Sequence, residues 1–271
     1  MTAAVRRFAK LLFPRSLRHG LRYGFDPGYR QLQRIERDKQ NGRIVFAMTG
    51  GVVCGGPFAG LRFADSEAGF TLGPKLLGTY EKELYGIVQR IFQNQYDTIM
   101  NIGAGDGFYA IGLGQHFPNC KLVCYEAIDW KHEQIQSLAD LNDCGTRIEI
   151  HGPCGNADLE PVLKRSGKTL VVCDVEGAEL QLLDPAVAPH LREADMLVEM
   201  HDVLQPGISQ EIHARFAATH HVQVIPTEPR TSADWPKSIP LAFNWAKLMD
   251  ESRDGPMTWS WLNVRNSPVS Q

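Results

Sequence analysis

The sequence predicts an α/β fold: a doubly wound, mostly parallel sheet with helices on both faces, preceded by a helical and β extension. Three observations lead there. Short runs rich in Val, Ile and Leu end at residues 102, 126, 151, 174, 200 and 225, giving gaps of 24, 25, 23, 26 and 25 residues. Each gap holds a turn, a helix of about three turns, a second turn and the next strand. Runs this rich in Val, Ile and Leu suit parallel strands covered on both faces. A glycine-rich turn, Gly103-Ala104-Gly105-Asp106-Gly107, follows the first run directly.

The elements follow in chain order. Residues 1–40 hold ten Lys/Arg against three Asp/Glu, among them Arg6, Arg7, Lys10, Arg15, Arg18 and Arg22. They read as a solvated basic helix or arm, or as a surface for an anionic partner or membrane face. Arg6-Arg7 before Phe8 suggests a twin-arginine signal, but Lys10 and Pro14 interrupt the apolar segment such a signal needs. Residues 43–72, with Arg43-Ile44-Val45-Phe46 and Gly60-Leu61-Arg62-Phe63, read as a small β-rich elaboration. These pieces form an extension over residues 1–75, and residues 76–271 form the main domain.

Thr79 to Phe92 places Leu84, Ile87, Val88, Ile91 and Phe92 on one helical stripe, with Glu81 and Glu83 in the first turn. The predicted strands are then 97–102, 121–126, 147–151, 169–174, 196–200 and 222–225. Pro226, Pro229, Pro236 and Pro240 imply a loop before a last strand around Met257 to Leu262.

Composition sets the class. With 271 residues, 43% hydrophobic and 22% charged, the chain suits one α/β domain with extensions, or two small domains. A net charge of −3 gives the whole molecule no pull toward nucleic acid. No run approaches the ~20 apolar residues that span a bilayer. The six cysteines form no Cys-x-x-Cys pair, which argues against a zinc ribbon and for reduced thiols in the cytoplasm.

The chemistry collects at strand ends. Asn101-Ile102-Gly103-Ala104-Gly105-Asp106-Gly107 sits where a strand turns into a helix, and glycines there admit positive φ and close approach of a ligand. The Gly-x-Gly-x-Gly spacing differs from the Gly-x-Gly-x-x-Gly of dinucleotide enzymes. Glu126 ends the second strand, where a carboxylate can accept both hydroxyls of a ribose, whether of NAD or of S-adenosylmethionine. Asp174-Val175-Glu176-Gly177-Ala178-Glu179 follows the fourth strand and Glu199-Met200-His201 the fifth. Four strands thus carry Gly103, Glu126, Asp174 and Glu199 to one rim. Glu179, inside the next helix, reads as a structural acid.

From about Leu77 to Trp261 the chain resembles the FkbM-type S-adenosylmethionine-dependent methyltransferases. The resemblance rests on residues 101–107, Glu126, the block at 174–179, and Glu199 with His201. It implies a Rossmann-like seven-stranded sheet whose last strand runs antiparallel, and O-methylation of sugar, glycan or natural-product hydroxyls. It places the methionine part of the cofactor on the loop of Asn101, Gly103, Gly105, Asp106 and Gly107, the ribose on Glu126, and the adenine near Gly155-Asn156. Asp174 joins that cofactor set. Nothing in the resemblance covers the first 75 residues.

A sulfonium methyl is already electrophilic, so such an enzyme mainly aligns the acceptor and takes its proton. His201 and Glu176 are the candidate bases, with Glu199 beside them, and His151 reads as structural. Asp174, Glu199 and His201 also have the donor types for Mg²⁺, although the resemblance requires no metal. Glu81 and Arg253 are candidate substrate contacts. Two other classes remain open: an NAD(P)-dependent oxidoreductase, which lacks an evident Tyr-x-x-x-Lys pair, and a catalytically silent cofactor-binding partner module.

Overall fold

A computed structural model describes residues 27–64, 71–253, 255 and 257–265. The basic residues Arg6 to Arg22 lie outside the described residues. Seven strands form one sheet in the order β3-β2-β1-β4-β5-β7-β6. The strands are β1 (Thr98–Ile102), β2 (Lys121–Tyr125), β3 (Ile148–His151), β4 (Thr169–Cys173), β5 (Asp195–Met200), β6 (His220–Pro226) and β7 (Thr258–Val264). Pairs among β1 to β5 are parallel, and β7 runs antiparallel to both β5 and β6. This is the Rossmann-like, seven-stranded arrangement expected.

The period-2 alternation of side chains divides the core in two. Ile99, Leu122, Cys124, Leu170, Val172 and Leu197 face one layer, which includes Ile111 and Leu113 of α4 (Phe108–His116) and Ile135 of α5 (Asp129–Leu141). Their sequence neighbours Met100, Val123, Val171, Met196 and Val198 face the other. There they meet α6 (Asn156–Arg165), α7 (Glu179–Leu182) and α8 (Ile208–Phe216). β1, β4 and β5 are buried along their whole length, which is why they are rich in apolar residues without a polar-out alternation. The chain winds outward from β1 in one direction and from β4 in the other, leaving a crevice beyond the carboxyl ends of those two strands.

Two expectations are corrected. Arg43-Ile44-Val45-Phe46 is helical, part of the 23-residue α1 (Pro27–Thr49). Pro27 opens that helix at a position where its missing N–H costs nothing. Val45 is fully buried in the first core layer, so packing overrides the strand preference of Ile, Val and Phe. β pairing in this region is limited, among the described residues, to one bridge between Val52 and Arg62.

The helix expected from Thr79 begins later. α2 (Leu72–Leu77) stops at Gly78, φ +70, and α3 (Tyr85–Phe92) starts after a single 3₁₀ turn at Lys82–Leu84. Between them Glu81 adopts a left-handed conformation, φ +47. A short helix α9 (Trp245–Leu248) precedes β7. No helix among the described residues is long and apolar enough to cross a membrane.

Candidate functional site

The glycine loop is shaped by how closely β1 approaches β4. Gly103 has φ +73, and a Cβ there would lie 1.7 Å from the carbonyl oxygen of Asp174. No side chain fits. Gly107, φ +88, caps α4. Glu126, 6% exposed, sits behind the loop and accepts hydrogen bonds from the backbone N–H of Gly105 (2.7 Å) and of Ile128 (3.0 Å). A carboxylate offers about four lone-pair positions, so two remain for a ligand's hydroxyls. Lys131 Nζ lies 4.0 Å from the same carboxylate.

A cavity of about 310 Å³ opens beside this loop, lined by Asn101, Gly103 to Asp106, Asp174 and Glu176, together with Lys75, Tyr109 and Trp130. Its size falls in the range of small-molecule sites. Asn101 Oδ1 and Asp174 Oδ1 are buried without a hydrogen-bond partner. Buried acceptors are normally satisfied, so both are ready for donors from a ligand.

Acidic groups converge at the tips of β4 and β5. His201 is 1% exposed, and its Nδ1 meets Glu179 Oε1 at 2.6 Å. Its Nε2 faces Glu176 Oε2 at 3.5 Å, Asp174 Oδ1 at 3.6 Å and Glu199 Oε2 at 3.9 Å. Burial pulls the imidazole pKa down, but the Glu179 hydrogen bond and the charges of Glu179, Glu199 and Glu176 outweigh it, and the pKa lies above its ordinary value. The Asp174 carboxyl is pushed well up, first by burial and then by the charges of Glu199 and Glu81. Glu176 holds a left-handed conformation, φ +52, ahead of Gly177; strained backbone of this kind gathers at functional sites.

A second network lies alongside. Arg253 bonds Glu81 (2.6 Å), Glu199 (2.8 Å) and Glu251 (2.9 Å). Arg230 bonds Glu251 and lies 2.9 Å from Glu83. Tyr109, from the cavity wall, donates its hydroxyl to Glu81. Four buried carboxylates thus share two guanidinium groups. Burial and the neighbouring charge of Glu199, only partly offset by Arg253, push the Glu81 carboxyl from 4.5 up to about 7.

The predicted residues fall into three groups. Asn101, Gly103, Gly105, Asp106, Asp174 and Glu176 line the cavity, with Glu126 and Gly107 behind the loop. Glu81, Arg253, Glu199 and His201 form the charged wall beside it. Gly155 and Asn156 begin α6 and are not among the residues lining the cavity, although Asn156 Oδ1 is buried and unpartnered. For a metal, the structure brings Asp174, Glu176 and His201 within 4.8 Å of one another, whereas one oxygen of Glu199 is committed to Arg253. His151 stacks on Tyr125, 5.0 Å between centroids.

Sequence reasoning missed Arg230, Tyr109 and Lys75, and read Glu179 only as a structural acid. Glu179 is the first residue of α7 and fully buried, and its carboxylate holds the histidine. The block at 174–179 already contained that signal.

Similarity to solved structures follows the fold. The chain is similar to a precorrin-6y C5,15-methyltransferase from Geobacter metallireducens, with 10% identity, 68% of this chain and 89% of that one covered, and a TM-score of 0.47. It is similar to the O-methyltransferase TomG from Streptomyces achromogenes, solved in complex with SAM (17%, 67% and 78%, 0.42). A SAM-dependent O-methyltransferase from Thermotoga maritima gives 13%, 69% and 67%, and 0.44. At these identities the likeness concerns the fold alone. No protein-family model and no curated protein matches the sequence.

Proposed function

We propose that this chain is an S-adenosylmethionine-dependent methyltransferase of the FkbM type, acting on a hydroxyl of a sugar, glycan or natural product. One observation carries the reading. The tips of β1 and β4 line one cavity with a bare-backbone loop and two unsatisfied acceptors, with the Glu126 carboxylate of β2 behind that loop and the carboxylate-held His201 after β5 beside Asp174 and Glu176.

The residues present fit the cofactor. Glu126 has free acceptor positions for the two ribose hydroxyls. Gly103 and Gly105 let the ligand lie against the backbone, and Asn101 Oδ1 and Asp174 Oδ1 accept its polar hydrogens. When bound, S-adenosylmethionine supplies an electrophilic methyl group. The chain's own work is to orient the acceptor and remove its proton. Glu179 fixes the His201 ring through Nδ1, leaving Nε2, which faces Asp174 and Glu176 of the cavity wall, as the proton acceptor. The surrounding carboxylates stabilise the imidazolium that results. Glu199, tied to Arg253, is a positioning residue: with Glu81 and Glu251 it holds the guanidinium in place.

Titration calorimetry with S-adenosylmethionine and with NADH tests the reading. Saturable binding of the former and none of the latter is expected. Release of S-adenosylhomocysteine on adding a panel of hydroxyl acceptors then tests catalysis. NADH binding favours the oxidoreductase class, and cofactor binding with no turnover on any acceptor favours a silent partner module.

A further inference from the structure

α2 carries a lysine at a core position. Lys75 is 7% exposed, and its Nζ lies 2.6 Å from Asp106 Oδ2. The same ammonium sits over the rings of Tyr80 and Phe108, 5.1 and 5.3 Å from their centroids. An ammonium carries three N–H donors. Asp106 takes one, and the ring faces attract the charge without replacing a full hydrogen bond. Among the described residues Nζ makes no other hydrogen bond, and the buried Asp38 carboxylate, which accepts from the Thr71 N–H, acts on it through charge alone. A buried cation with unused donors is costly unless another acceptor completes its shell.

The position of Lys75 indicates which acceptor that is. Lys75 and Asp106 both line the 310 Å³ cavity, next to Gly103 and Gly105. The other lysine on that wall, Lys131, is associated with Glu126 and so belongs to the ribose region. Asp174 and Glu176 line the cavity as well. The wall therefore offers one buried ammonium with spare donors and two carboxylates, a pattern complementary to a zwitterion.

We infer that Lys75 is the anchor for the α-carboxylate of an amino-acid group bound in this cavity, which makes α2 part of the ligand site. This rests on the methyl-donor reading above, in which the methionine end of S-adenosylmethionine is that group. The spare N–H donors of Lys75 pair with the ligand carboxylate, and the ligand ammonium lies toward the carboxylates. Asp106, its Oδ1 accepting from the Phe108 N–H at 3.2 Å, holds the lysine in place before the ligand arrives.

A purely structural ion pair would not distinguish ligands with and without a carboxylate, and calorimetry separates the two. S-adenosylmethionine and its decarboxylated analogue are titrated into wild-type protein, Lys75→Met and Lys75→Arg. Wild-type protein should prefer S-adenosylmethionine by about tenfold or more, the worth of a charge-assisted contact. Lys75→Met should lose most of that preference while binding the analogue within about twofold of wild type, and Lys75→Arg should retain it. Equal affinity of wild-type protein for the two ligands overturns the inference, with no variant needed. So does an equal loss for both in Lys75→Met. Wild-type protein that binds neither ligand refutes the methyl-donor reading itself, and the anchor with it.

Discussion

Replacing Glu179 by Gln keeps the size of a fully buried side chain and removes its charge, which isolates what that carboxylate does for His201. In the native protein the Nδ1–Oε1 contact is 2.6 Å, with His201 and Glu179 at 1% and 0% exposure. A hydrogen bond to a charged group contributes about 1.5–3 kcal/mol and a neutral one about 0.5–1.5. The substitution should therefore weaken stabilisation of the imidazolium by about 1–1.5 kcal/mol. That is about a tenfold fall in the ratio of imidazolium to imidazole at a given pH. Burial, which opposes the charged form, then gains weight over the remaining contacts with Glu176 and Glu199. The assay is an NMR titration of the imidazole Cε1–H signals, with His201→Asn identifying the resonance among nine histidines. His201 should titrate above its ordinary value in the native protein and distinctly lower in Glu179→Gln, and the acid limb of turnover should move with it. An unchanged or higher titration in the variant refutes the dyad. The sign carries into stability. A raised imidazole pKa stabilises the fold at pH below the unfolded value and loses that contribution as pH climbs past the folded one, so the variant's stability should depend less on pH there.

Gly103→Ala should cost about 3 kcal/mol or more by urea denaturation, combining left-handed strain with displacement of the Asp174 carbonyl. Gly105→Ala, with φ +60 but nothing within 4 Å of a new Cβ, should cost only about 1–2 kcal/mol; equal costs contradict the close approach of β1 and β4. Arg253→Met strips the guanidinium shared by three carboxylates and should destabilise the fold by about 3–5 kcal/mol at pH 8. The deficit should shrink at pH 5 as protons replace the lost cation, and a deficit that does not change with pH counts against this. Glu81, raised from 4.5 to about 7, binds protons more tightly folded than unfolded. Stability should thus fall by up to about 3 kcal/mol as pH rises through that window and level off above it. Glu81→Gln should flatten that slope, measured as urea midpoints from pH 4.5 to 8, and an unchanged slope assigns it to other groups.

The centre of the sheet was legible because β1, β4 and β5 are buried on both faces. β1, β4 and β5 lie close to their predicted limits, each a run that admits no polar alternation. Helix boundaries were less legible. Ile44-Val45-Phe46 has strand preference but lies in α1, a fact decided by the packing of Val45 and not by local propensity. The start of α3 was hidden because Glu81 is held in a left-handed turn beside Arg253, 172 residues away in sequence. At the site, residues that end strands could be placed from the sequence, since strand ends share one rim. Glu179 reads as a structural acid from the sequence, but its partner His201, 22 residues away, is known only from the folded chain. Lys75 and Arg230 came from segments with no periodic signal, and only the folded chain brings them to Asp106 and Glu251.

The most direct test of the account is a crystal structure of the protein with S-adenosylhomocysteine. The ribose hydroxyls should lie on Glu126, the ligand along residues 101–107, and the sulfur should point toward His201. A ligand seated elsewhere, or soaked crystals and titrated solutions that show no ligand at all, would contradict it.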